Sequence, residues 1–303
     1  MAAQLRLVRR RISSVQSIAK ITRAQELIAS SRIVKAQQQQ RSAEPYAREL
    51  TRAVEAVISR STNVTHPFIQ EPENPSRAAV LILTSDQGFA GAFNANVLRE
   101  SGRLRQTLRD GGIEPVLYVA GRKGIGWHRF RELELENSWS GFSAVPKYQN
   151  AQKISDALLE AFNAGAGEGG VDEIHLVGTD FVSMLTQRPY ARRLLPLEIE
   201  ETEEESPSGP LPQYEFEPGP AEVLDALMPQ YVTARIFYAM LEAAAAELAS
   251  RRRAMKAATD NANDLLETLT REANNARQAE ITQEISEIVG GANALADASA
   301  TSE

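Results

Sequence analysis

The sequence predicts a mixed α/β fold in which two long terminal helices pair as an antiparallel coiled coil, with an α/β domain inserted between them. An apolar stripe of coiled-coil period runs along each end of the chain, and strand-like and helical segments alternate in the middle. The predicted divisions are a helix over 1–60, a linker over 61–76, the α/β domain over 77–197, an acidic linker over 198–220, and a helix with its tail over 221–303.

The first helix carries a coiled-coil seam. Alternating steps of four and three residues give fifteen positions, of which twelve are apolar. These positions are Val8, Ile12, Val15, Ala19, Thr22, Glu26, Ala29, Ile33, Ala36, Gln40, Ala43, Ala47, Leu50, Val54 and Val57. Pro45 lies between seam positions, so we expect it to kink the helix rather than end it. Such a helix is roughly 85 Å long, more than a single globular core can cover.

The last helix has a matching seam in which many positions are Ala. Its positions are Leu241, Ala245, Leu248, Arg252, Met255, Thr259, Ala262, Leu266, Leu269, Ala273 and Ala276, after which the stripe passes to Ile281, Ile285, Ile288, Ala292 and Leu295. This shift needs successive steps of four, which locally unwind a supercoil. Both stripes belong to one molecule, which favours antiparallel pairing within the chain over parallel homodimers.

The middle of the chain reads as alternating strands and helices. Apolar runs at 78–85, 115–121 and 173–179 are separated by helical stretches near 94–109, 122–134 and 150–163. Continuous apolar strands in this alternation predict a parallel, Rossmann-like sheet covered on both faces.

Charge and composition narrow the function classes. The net charge of −7 gives no general argument for nucleic acid, although residues 2–60 carry twelve Lys/Arg against four acids. Residues 198–226 carry ten acids and no Lys or Arg, which suggests a solvated linker.

The absence of cysteine excludes disulfides and thiolate metal sites. No apolar run reaches the roughly eighteen residues of a membrane span. The Arg-rich beginning resembles a transit peptide, but its helical period continues past any plausible cleavage point.

Two glycine-containing turns follow predicted strands, where α/β proteins often bind phosphate. "SDQGFAGAFNAN" at 85–96 and "GRKGIG" at 121–126 match neither G-x-G-x-x-G nor a P-loop, so structural turns are the better interpretation. The three histidines are isolated in sequence, and we expect His128 to be a packed surface residue. The residues therefore predict no catalytic, cofactor or metal site.

Motifs at both ends carry a specific resemblance. "KITRAQELIASSRIVKAQ" at 20–37, "SRRRAMKAATDNANDL" at 250–265 and "RQAEITQEISEIVGGANAL" at 277–295 closely resemble the γ subunit of F-type ATP synthases, as does the turn at 85–96. The resemblance covers essentially the whole chain.

The resemblance implies a non-catalytic rotor. Its paired helices would turn inside a ring of three α and three β subunits, and its α/β domain would meet the ε subunit and the membrane ring of c subunits. Catalysis would occur on β, with no cofactor, direct nucleotide binding or nucleic acid on this chain. The protein would lie peripherally on the cytoplasmic face of the membrane, couple proton flow to ATP synthesis or hydrolysis, and regulate ATPase activity and proton flow.

The resemblance also implies contact residues. Those expected to meet an acidic loop on β are Arg251, Arg252, Gln278, Thr282 and Gln25, and those expected to form an apolar bearing are Ile288, Val289, Ala292 and Leu295. Gln278 and Thr282 are four residues apart and share a helical face. If Arg251 forms an exposed ion pair, its replacement by Ala would slow turnover several-fold at most. We also hypothesise that the 164–170 loop touches a neighbouring δ, stator or rotor subunit.

Two other function classes remain open from the residues alone. An α/β nucleotide-binding enzyme with helical arms is favoured only by the glycine turns. A coiled-coil scaffold or membrane-surface protein is favoured by the basic first helix.

Overall fold

The computed structural model describes residues 2–60, 66–197 and 219–300, with side chains for 4–58, 66–197 and 219–292. In chain order, the elements are α1 (Ala2–Arg60), β1 (Arg77–Leu83), α2 (Phe93–Asp110), β2 (Glu114–Ala120), α3 (Arg122–Phe130), β3 (Asn137–Trp139), α4 (Tyr148–Ala164), a 3₁₀ turn (Ala166–Glu168), β4 (Glu173–Phe181), β5 (Gln187–Leu195) and α5 (Pro220–Ala300). The predicted linker 198–220 lies almost entirely outside the described residues.

The predicted seams are confirmed over most of their length. All fifteen seam positions of α1, and those of α5 from Leu241 to Ala276, are buried or half-buried. Both helices run through their internal prolines, Pro45 and Pro229.

The chain divides into two compact units. The first consists of Met1–Ile28 with Arg253–Glu303, and the second of Ala29–Arg252. The division therefore falls inside α1 and α5.

Within the second unit, α1 and α5 pack antiparallel. Ile33 and Ala36 of α1 share a core cluster with Ala245, Leu248 and Ala249 of α5. Further along α1, Gln40 donates hydrogen bonds to Tyr238 and Glu242, which lie earlier in α5. Rising numbers on one helix thus meet falling numbers on the other, as antiparallel pairing requires.

The sheet has the strand order β3-β2-β1-β4-β5. The three predicted strands, now β1, β2 and β4, are parallel as expected. Two strands were not predicted: β3 pairs parallel with β2, and β5 pairs antiparallel with β4. One face packs against α1, α4 and α5, and the other carries a smaller core with α2 and α3. Both faces are therefore covered, as their continuous apolar strands predict.

Candidate functional site

Open α/β sheets bind ligands at the carboxyl edge of the sheet, where the strands end. Asp86 follows β1 at this edge and accepts hydrogen bonds from the backbone amides of Arg122, Gly141 and Ser143 at 3.1, 2.8 and 2.9 Å. Burial opposes ionisation of its carboxyl group, but these amide bonds outweigh it and hold the pKa of Asp86 below its usual value. Its carboxylate thus joins the loops that follow β1, β2 and β3.

The same edge is packed against α5. Arg251 is only 5 % exposed, and its Nη2 donates to Glu247 Oε1 at 2.7 Å. The Arg251 guanidinium also donates to the carbonyl oxygens of Gln87 and Gly88, at 3.2 to 3.4 Å. Burial raises the pKa of Glu247, while the neighbouring Arg251 acts in the opposite direction. The expectation of an exposed Arg251 ion pair is therefore wrong, because nearby carbonyl groups and a buried carboxylate surround the guanidinium.

The turn at 121–126 is shaped by close packing. Gly121 has a φ of 107°, and a Cβ there would lie 2.2 Å from the Thr84 carbonyl oxygen. The Gly124 amide donates to Thr84 Oγ1 at 3.0 Å. Both glycines bring α3 close to the end of β1, which confirms the structural interpretation of this turn.

His128 is fully buried, which corrects its expected surface position. Its Nδ1 donates to the Gly124 carbonyl oxygen at 2.8 Å, and its Nε2 has no hydrogen-bond partner. Burial lowers the pKa of His128, which keeps the ring neutral near pH 7. Within the described residues, no three His, Asp or Glu side chains form a group that could hold a metal ion.

The other predicted contact residues are more exposed than Arg251. Gln25, Gln278 and Thr282 are exposed, and Arg252 is half-buried. Thr282 Oγ1 donates to the Gln278 carbonyl oxygen at 2.9 Å, in agreement with their shared helical face. These side chains are accessible to another molecule.

A terminal apolar stripe, formed by Ile281, Ile285, Ile288 and Val289, is exposed along α5. The hydroxyl oxygens of Thr22 in α1 and Thr259 in α5 are hydrogen-bonded at 2.8 Å, so these two residues lie side by side in the paired helices. Ala2, the start of α1, is twenty residues before Thr22, so its partner position is about twenty residues after Thr259, near Ala279. The rest of α5 therefore extends beyond α1. Of the other predicted bearing residues, Ala292 is exposed, and the side chain of Leu295 lies outside the described part.

Comparison with known proteins identifies the family. The sequence model of the family described as ATP synthase matches residues 4–295. An ATP synthase gamma chain from Thermobifida fusca is 60 % identical over 306 residues, covering 100 % of both chains. One from Acidothermus cellulolyticus is 62 % identical over 295 residues, covering 97 % of this chain and 98 % of the relative.

The chain belongs to the ATP synthase gamma-chain family.

The fold agrees with that of chains in solved ATP synthase structures. One similar structure is titled "Cryo-EM structure of Euglena gracilis mitochondrial ATP synthase, OSCP/F1/c-ring, rotational state 3". It has a TM-score of 0.68 at 14 % identity and covers 97 % of this chain and 95 % of its own. Another, of the rotor from the same organism in rotational state 1, has a TM-score of 0.62 at 14 % identity, with 93 % and 100 % covered.

In this gamma-chain family member, the 164–170 loop is attached at the amino edge of the sheet, opposite the carboxyl edge where Asp86 lies. The Arg77 guanidinium donates to the carbonyl oxygens of Gly169 and Gly170, and Asp172 accepts from the amides of Ala166, Ser76 and Arg77. The ends of the loop are therefore fixed to β1 and β4.

Among the described residues, no helix has both the length and the apolar composition of a membrane span.

Sequence reasoning missed two acidic residues of α5. Glu247 lies four residues before Arg251, and that spacing was the available signal for their ion pair. Glu242 accepts a hydrogen bond from Gln40 at 3.3 Å. Burial, reinforced by the nearby Asp180, raises the pKa of Glu242 to about 7 despite the opposing Arg192 and Arg235. No local pattern marked this residue, because its neighbours come from α1, β4 and β5.

Proposed function

We propose that this chain is the central rotor shaft of an F-type ATP synthase and couples proton flow through the membrane ring to ATP synthesis or hydrolysis on β. Membership of the gamma-chain family supports this proposal. The observation that carries it is the terminal apolar stripe, four large side chains left exposed where α5 extends beyond α1. Exposed apolar side chains in such a stripe favour contact with another protein.

The proposed contacts divide by chemistry. Gln25, Arg252, Gln278 and Thr282 are polar and accessible, which suits hydrogen bonds to an acidic loop on β. Ile288, Val289, Ala292 and Leu295 would form the apolar bearing, where fixed charged contacts would favour a single orientation. Arg251 belongs to the same proposed β-contact set, but its burial makes an inward role the stronger interpretation, as argued below.

The wider assembly is part of the proposal. One copy of this chain would stand within three α and three β subunits, with the α/β domain against ε and the c-ring, on the cytoplasmic face of the membrane. The 164–170 loop is proposed to contact δ or another stator subunit and to tune hydrolysis. Deleting residues 164–170 should change ATP hydrolysis by the complex, and unchanged synthesis and hydrolysis rates would rule this role out.

Affinity purification of the tagged full chain tests the function. We expect α and β to copurify at three copies each per copy of this chain, with ATPase activity. The chain alone should neither hydrolyse ATP nor bind ATP or NAD specifically in a titration. An α/β enzyme would instead bind nucleotide without partners, and a coiled-coil scaffold would be recovered without α and β.

A further inference from the structure

Arg251 lies where an α/β protein would otherwise hold a ligand, at the carboxyl edge of the sheet beside the β1–α2 turn. Its donors face the carbonyl oxygens of Gln87 and Gly88, and its charge is met by Glu247. Ser250, the preceding residue, donates from Oγ to the Ala90 carbonyl oxygen at 2.7 Å. Consecutive residues of α5 thus bind three carbonyl groups of one loop.

The bound loop has an unusual backbone conformation. Phe89 has a φ of 59°, in the left-handed region that residues other than glycine seldom adopt, and its side chain is 80 % exposed. The carbonyl groups on both sides of Phe89 accept the hydrogen bonds from α5. The Phe89 ring has little packing of its own, so the contacts with α5 restrain this backbone together with the loop's own hydrogen bonds from Ser85 Oγ to Gln87 and from the Phe93 amide to Ala90.

Glu247 extends the connection to a second loop. Its side chain is hydrogen-bonded to that of Ser143, whose Oγ accepts the Asp86 amide at 2.8 Å. Asp86 in turn accepts the Ser143 and Arg122 amides. One hydrogen-bonded network therefore joins α5 to the loops after β1, β2 and β3.

We propose that Arg251 is a positioning residue that fastens the β1–α2 loop to α5, so that force on the α/β domain reaches α5 instead of being absorbed by the loop. The attachment itself follows from the contacts within this chain, whereas its role in passing on force rests on the proposed rotor function. The inference reverses the expected role of Arg251, since its guanidinium serves the chain's own backbone.

Hydrogen exchange on the isolated full chain tests the attachment without any partner. We expect Arg251→Met to speed exchange of the Asp86 and Phe93 amides, which donate to Ser143 Oγ and to the Ala90 carbonyl oxygen, by about tenfold or more, because the loss of the Arg251 hydrogen bonds frees the loop between them. Lys256→Met is the matched control. Lys256 is also a cation of α5 that pairs with a carboxylate four residues away, Asp260, but this pair is exposed. Exchange as slow in Arg251→Met as in Lys256→Met would overturn the attachment.

Two further variants keep this test informative if Arg251→Met folds poorly. Arg251→Lys retains the positive charge but lacks the planar guanidinium that binds Glu247 and both carbonyl groups at once. The loop amides of this variant should therefore exchange at an intermediate rate. Ser250→Ala should speed exchange near Ala90 only. Wild-type exchange rates in both variants would contradict the proposal.

The assembled complex tests the transmission of force. In complexes of normal subunit composition, Arg251→Met should reduce the protons pumped per ATP hydrolysed, whereas Lys256→Met should match the wild type. Faster loop exchange with unchanged pumping per ATP would overturn the mechanical role and leave the rotor function standing. Failure of the wild-type chain to copurify with α and β would refute the rotor function. Hydrogen exchange of the loop amides would still decide whether Arg251 fastens the β1–α2 loop to α5.

Discussion

Two regions of α5 differ sharply in their surroundings. From Ala239 to Arg251 nearly every side chain is buried, including Glu247 and Arg251. From Ile281 to Ala292 every side chain is exposed, including the four large residues of the terminal apolar stripe. The first region lies against α1 and the α/β domain, whereas the second extends beyond the start of α1.

Burial along this helix is set by what lies beside each residue rather than by its hydropathy. The packed region buries a charged pair because backbone carbonyl groups and a carboxylate satisfy the guanidinium. The exposed region leaves isoleucines in solvent because no described element of this chain covers them. The first region therefore contributes to internal stability, whereas the second leaves an apolar surface uncovered.

The largest expected effect comes from the packed region. Ile236→Ala should lower the free energy of unfolding by about 3 kcal/mol, because Ile236 is fully buried and its loss leaves a cavity. Urea denaturation of the isolated chain measures this change. A loss as small as that of an exposed isoleucine replaced by Ala would mean that Ile236 is not tightly packed.

A pH-dependent effect comes next. The folded pKa of Glu242, about 7, exceeds its ordinary value of 4.5, so the folded state retains a proton that the unfolded state releases between these values. The contribution of Glu242 to the free energy of unfolding should therefore fall as pH rises from 4.5 to 7. Glu242→Gln should remove this dependence and stabilise the chain at pH 8 by about 1–3 kcal/mol.

Unfolding midpoints of Glu242→Gln between pH 4.5 and 8 provide the measurement. Glu267→Gln is the control, because Glu267 is an exposed carboxylate on the same helix. A stability gain that is the same at pH 5 and pH 8 would exclude titration of Glu242 as its cause.

A smaller effect concerns the seam of the first unit. Thr259→Val should cost about 1 kcal/mol, because it removes the buried hydrogen bond with Thr22. Thr22 can still donate to the Ala19 carbonyl oxygen, which limits the loss. In a double-mutant cycle, Thr22→Val should cost less when Thr259 is already Val, and strictly additive losses would argue against the bond.

The smallest expected effect on stability lies in the exposed region. Ile288→Ser should change the free energy of unfolding by about 0.5 kcal/mol or less, because Ile288 is 71 % exposed. The same substitution should weaken recovery of α and β in copurification. Strong destabilisation of the isolated chain would mean that this side chain is packed within it.

Periodicity made much of the fold predictable. The seam positions and the strands β1, β2 and β4 follow from repeating or continuous apolar residues, which mark buried surfaces. Strand β3 was missed because three residues carry no period. Strand β5 was missed because "QRPYARRLL" contains proline and three arginines and lacks the expected apolar alternation.

The candidate site was less predictable because its decisive contacts join distant residues. The shared face of Gln278 and Thr282 follows from helical spacing alone. The inward direction of Arg251 depends on carbonyl groups more than 160 residues earlier in the chain. A run of arginines on a helix therefore indicates positive charge but does not indicate which member is buried.

The composition of β5 has a consequence for the chain before it meets any partner. β5 is last in the strand order and would offer its outer edge to other strands, but Pro189 lacks an amide hydrogen, and Arg188 and Arg192 are exposed. These features discourage strand addition and sheet-to-sheet aggregation. The β5 edge of the sheet therefore disfavours pairing between copies of this chain.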